Sequence, residues 1–114
     1  MKILLLDDEV CVQEWVTDVL AGHEVRVASD GNEALNVYKE HAPFDIVLAD
    51  WCHEGPTGEE LVRAIHQMDP KQSIAFITGY SCSSVAGCPV LHKPFGRDEL
   101  LEFLNRYCGR IEHA

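Results

Sequence analysis

Cations are scarce in this 114-residue sequence: Lys and Arg number 9 against 19 Asp and Glu, a net charge of −10. So acidic a chain argues against nucleic acid as a partner, because phosphate-backbone binding needs clustered cations. Long apolar runs are missing too. Ile3-Leu4-Leu5-Leu6 is stopped at once by Asp7-Asp8-Glu9, so neither a signal peptide nor a membrane-spanning helix is expected. No CxxC pair occurs. The five cysteines (Cys11, Cys52, Cys82, Cys88, Cys108) are odd in number and irregularly spaced, which does not read as a disulfide framework and fits a reducing cytoplasm. Cys52-His53 with Cys82, Cys88 and His92 match no usual zinc-ligand spacing. No repeat, linker or low-complexity stretch breaks the chain. What remains is 46% apolar and 25% charged, enough for one core in one domain over residues 1–114.

Apolar runs alternate with helical patterns from end to end. Ile3 to Leu6 reads as a buried strand. Val12, Trp15, Val16, Val19 and Leu20 follow helical spacing, with Trp15 expected in the core and Gly22 as a stop. Val25 and Val27 alternate with polar residues, the mark of an edge strand. Asp30 with Glu33 resembles a capping box opening a helix with Ala34, Leu35 and Tyr38 inward. Phe44 to Ala49 is a central strand ending at Asp50. A loop from Trp51 to Thr57 precedes a helix with Leu61, Val62, Ile65 and Met68 inward. Ser73 to Ile77 and Pro89 to His92 are further strands, and Leu100, Leu101, Leu104 and Tyr107 line a last helix. The economical architecture is α/β, a doubly wound parallel sheet with helices on both faces.

Ligands of such sheets sit at the carboxyl ends of the strands. Asp7, Asp8, Asp50, Thr78 and Lys93 end four of the strands there. Carboxylates forced together repel one another, and a divalent cation removes the difficulty. Mg²⁺ suits oxygen ligands and keeps several waters. The expected ligands are Asp8 and Asp50 directly, Asp7 through water, and the backbone carbonyl of Cys52. A carboxylate of Asp50 can attack phosphorus, while Lys93 and Thr78 steady the phosphoryl oxygens.

At these residues the sequence resembles the response-regulator receiver family of two-component signalling. The matching stretches are Leu4-Leu5-Leu6-Asp7-Asp8-Glu9, Gly22-His23-Glu24-Val25, Asp30-Gly31-Asn32-Glu33-Ala34-Leu35, Phe44-Asp45-Ile46-Val47-Leu48-Ala49-Asp50, Thr78-Gly79-Tyr80-Ser81 and Lys93-Pro94-Phe95. The resemblance implies a five-stranded flavodoxin-like sheet in the order 2-1-3-4-5. It also implies a histidine kinase or phosphotransfer protein as phosphodonor, and a cis peptide bond before Pro94.

Three departures stand out. The loop after Asp50 lacks the family's Met-Pro pair, and Glu54 stands at the proline's place, although Gly58 keeps its own. Val90 occupies the position of the family's aromatic switch residue. Thr78 and Lys93 are only 15 positions apart, so the fourth helix is expected to be shortened or absent, and Ser81, Ser83, Ser84 and Gly87 are poor helix formers. Output is then expected through a downstream protein partner, with contacts near the first helix. No output domain is expected, because the chain ends a few residues after the last helix. The expectation is a phospho-acceptor rather than an enzyme. An interaction module that ignores phosphorylation is the alternative. A phosphatase is disfavoured because Cys52 stands where a second acid belongs.

Overall fold

The computed structural model describes residues 1–51, 57–79, 84, 85 and 87–108. The elements are β1 (Lys2–Leu6), α1 (Val10–Val19), β2 (Glu24–Ala28), α2 (Gly31–His41), β3 (Ile46–Asp50), α3 (Gly58–Met68), β4 (Ile74–Thr78), β5 (Ser84–Val85), β6 (Cys88–His92) and α4 (Arg97–Cys108). Five strands are parallel, in the spatial order β2-β1-β3-β4-β6. That is the expected 2-1-3-4-5 order. A two-residue strand, β5, adds to it by pairing antiparallel with β6. Among the described residues the crossover from β4 to β6 contains no helix, in keeping with its length.

Period two in the strands sorts the core into two layers. Leu4, Leu6, Val47, Ala49 and Phe76 point toward α2 and α3, where Ala34, Tyr38, Leu61 and Ile65 meet them. Ile3, Leu5, Ile46, Leu48, Ala75 and Ile77 point the other way, onto Val16 of α1, Leu20 at its C-cap, and Leu100 and Leu104 of α4. A strand covered on both faces is apolar at every position, which is why β1, β3 and β4 read as continuous runs. β2 lies at the edge and alternates between exposed and half-buried residues until Ala28.

Helix starts follow local chemistry. Asp30 caps α2 by accepting the Glu33 N–H, but Glu33 turns its own carboxylate to the Ser29 N–H. The reciprocal capping box belongs instead to α3, where Thr57 and Glu60 satisfy each other's backbone N–H groups. Those bonds hold the Glu60 carboxyl below its ordinary pKa. Gly22, at φ +98°, makes the left-handed turn into β2 that a residue with a Cβ resists.

Three residues expected in the core are exposed: Trp15, Met68 and Tyr107. Each has helical spacing but sits at the flank of its helix, beyond the sheet's cover. Trp15 meets Phe95 edge-on, at 5.7 Å between ring centroids, and Tyr107 lies against Phe103 at 4.6 Å.

Candidate phospho-acceptor pocket

Sheet register assembles the pocket. Leu6 pairs with Ala49, so Asp7 and Asp50, each one residue on, leave neighbouring strands at one level. Asp50 pairs with Ile77, and Thr78 with His92. The ladder then runs one step further, with the Lys93 N–H donating to the Thr78 carbonyl at 2.8 Å. The Lys93-Pro94 peptide bond is cis, as the resemblance implied.

Lys93 Nζ lies 3.2 Å from Asp7 Oδ2, 3.3 Å from Asp50 Oδ2 and 3.3 Å from Glu9 Oε1. Asp7, Asp50 and Thr78 are buried, while Asp8 and Glu9 are open to solvent. Burial opposes the charge on the Lys93 ammonium, but the carboxylates of Asp7 and Asp50 outweigh it and hold the amine protonated well above its ordinary pKa. Burial pushes the Asp7 carboxyl up. The Glu9 N–H and Lys93 pull it down, and the charge of Asp50 adds to the rise. The pocket therefore keeps more negative charge than its one amine compensates.

One carboxylate oxygen from each of Asp7, Asp8, Glu9 and Asp50 lies within 4.8 Å of the others. All four are hard oxygen donors, two buried and two facing water. That combination fits a small divalent cation that retains part of its hydration. Three of the four were expected from the sequence. Glu9 was not assigned a role there, and its one signal was its place directly after the acid pair. The Cys52 carbonyl, with His53, Glu54 and Cys82, lies outside the described residues. Among the described residues no Cys/His group has metal-ligand geometry, and burial raises the Cys88 thiol's pKa.

Packing fixes the pocket's walls. Trp51, the residue after Asp50, donates its N–H to the Ile77 carbonyl at 2.9 Å and sets its half-buried indole edge-on to Phe76 at 5.2 Å. Gln13 of α1 donates from its side chain to the Asp7 carbonyl and, at 3.3 Å, to Ser29 Oγ. Beside the acids, a groove of about 590 Å³ opens between α1 and the Lys93-Pro94-Phe95 turn, lined by Cys11, Val12 and Trp15.

A doubly wound sheet in this order, with acids and one lysine meeting at its carboxyl edge, defines a receiver-type signalling domain. Residues 3–105 match the response regulator receiver domain family, and the chain belongs to that family. It is 30% identical over 115 residues to the chemotaxis protein CheY of Bacillus subtilis, covering 92% of this chain and 95% of that one. It is 40% identical over 84 residues to the phosphoglycerate transport regulator PgtA of Salmonella typhimurium, covering 69% of this chain but 19% of that longer protein. The structure of the chemotaxis protein CheY4 of Vibrio cholerae superposes with a TM-score of 0.83 at 31% identity, over 93% of this chain and 97% of that one. The chain is a receiver domain of two-component signalling. No helix of the described residues is long and apolar enough to cross a membrane.

Proposed function

We propose that this domain accepts a phosphoryl group on Asp50 from a phosphohistidine of a histidine kinase or phosphotransfer protein. A carboxylate oxygen of Asp50 forms the new O–P bond as the donor's P–N bond breaks. The imidazole leaves with that bond's electron pair and takes a proton from solvent. Lys93 donates to one phosphoryl oxygen, and the Thr78 hydroxyl to another. Asp8 and Asp50, with Asp7 through water, would hold Mg²⁺, which when bound neutralises charge on the phosphoryl oxygens. Hydrolysis returns the carboxylate and inorganic phosphate. The domain serves as acceptor rather than enzyme, in the cytoplasm, and passes its state to a downstream protein partner. The groove beside α1 supports partner contact there, and the net charge of −10 disfavours nucleic acid.

One observation carries the reading: a buried acid held 3.3 Å from an amine 43 positions away in sequence, with a second buried acid 3.2 Å from the same amine. The test is intact mass after incubation with Mg²⁺ and a small phosphodonor. A gain of one phosphoryl group, absent in Asp50→Asn, is the expected result.

A second reading is favoured by Val90. It stands beside Phe76 in the sheet, where the family resemblance places an aromatic switch. Without a ring there, the domain would contact its partner irrespective of phosphorylation. No mass gain in the same experiment would favour this reading, and rapid turnover of many phosphoesters would indicate a phosphatase.

A further inference from the structure

The Lys93 ammonium has three N–H donors, and each has an acceptor, in Asp7, Glu9 and Asp50. These acceptors differ in how firmly they are held. The side chains of Asp7 and Asp50 are 0% and 9% exposed, whereas that of Glu9 is 62% exposed. Asp7 is tied further, because its Oδ1 accepts the Glu9 N–H at 2.9 Å. A phosphoryl oxygen arriving at Asp50 needs one of the three donors, so one acceptor must yield. Releasing a buried carboxylate leaves its charge unpaired and desolvated, while turning an exposed one into water costs little.

We propose that Glu9 is the displaceable partner of Lys93: it holds the third donor at rest, and the incoming phosphoryl oxygen takes its place. Glu9 is thus a positioning residue that competes with the anion and sets how tightly the pocket takes it. This inference rests on the phospho-acceptor reading. Because Glu9 is also one of the four clustered carboxylates, its charge acts on a cation in the opposite sense. Neutralising it weakens cation uptake and strengthens anion uptake, a pair of opposed shifts that a merely structural role does not produce. The substitution leaves α1 intact, since Glu9 sits at the helix cap without a side-chain cap bond.

The test is calorimetric titration of the wild type, Glu9→Gln and Glu9→Ala with Mg²⁺, then with beryllium fluoride at saturating Mg²⁺ as a stable phosphoryl mimic. Both variants should take up the mimic about threefold more tightly than wild type and Mg²⁺ about threefold more weakly, the scale of an exposed ion pair. Wild-type protein that takes up Mg²⁺ and the mimic, with variants binding the mimic no tighter, overturns the role of Glu9 alone. Wild-type protein that takes up neither overturns the phospho-acceptor reading and this inference together.

Discussion

Trp51 and Gly58 share one space: a Cβ on Gly58 would stand 2.3 Å from Cζ3 of the Trp51 indole and 3.1 Å from Cε1 of Phe76. The residue after the candidate acceptor is thus wedged against the first residue of α3, and glycine is required there for lack of a side chain. Gly58→Ala should destabilise the fold by about 1–3 kcal/mol through overpacking. Trp51→Leu makes room, so the double variant should be more stable than the two single costs summed. Chemical denaturation of the four proteins measures the coupling. Strict additivity would show that the two residues do not compete for this volume.

Trp51 also adjoins the acids, whereas Trp15 lies in the groove on Phe95. Addition of Mg²⁺ should therefore change the emission of wild type and of Trp15→Phe, but not of Trp51→Phe. A response that survives loss of Trp51 would place the reporter elsewhere.

Lys93 offers its charge to three carboxylates at 3.2–3.3 Å. Lys93→Met removes the one cation among them, so Mg²⁺ affinity should rise about three- to tenfold. Phosphorylation by a small phosphodonor should instead fall about a hundredfold, since the phosphoryl oxygens lose their ammonium partner. Calorimetry and intact mass read the two effects separately, and a parallel loss of both would point to a collapsed pocket.

The raised pKa of Asp7 carries a stability consequence. The folded state holds the Asp7 proton more tightly than the unfolded chain does, so stability falls as pH rises from the ordinary value of 3.8 through the native one. Above that window the full cost persists, and a bound dication offsets it. Asp7→Asn should stabilise the metal-free protein at neutral pH, because it removes a buried charge while Lys93 keeps Glu9 and Asp50 as partners. In thermal melts that is a higher melting temperature, with less added by Mg²⁺ than in wild type. A lower melting temperature for the metal-free variant would show that the ion pair with Lys93 outweighs burial.

Much of the architecture was legible along the chain. β1, β3 and β4 are buried on both faces, which writes an unbroken apolar run, and each ends where a polar residue reaches the sheet's edge. The short interval between Thr78 and Lys93 pointed to a shortened or absent fourth helix, and the described residues of that crossover hold none; the pairing of β5 with β6 was not legible. Trp15 and Met68 were misplaced because spacing reports which side of a helix a residue occupies. It does not report whether the sheet extends far enough to cover it. Gln72 escaped notice for a related reason. It is buried at the opposite end of the sheet, accepting from Tyr38 Oη at 3.0 Å and the Phe44 N–H at 3.1 Å, and nothing in its neighbours marks it.

The amino-acid order alone determined the alternation of strands and helices, the acids at strand ends and the Lys93-Pro94-Phe95 turn, because hydrophobic period and turn chemistry are local properties. Only the tertiary structure decided which oxygens share the amine of Lys93. Those acids lie 86, 84 and 43 positions from it in sequence, and sheet register sets their separation. The difference between a fixed partner such as Asp7 and a yielding one such as Glu9 is a difference of solvent exposure, which belongs to the packed molecule and not to the residue type.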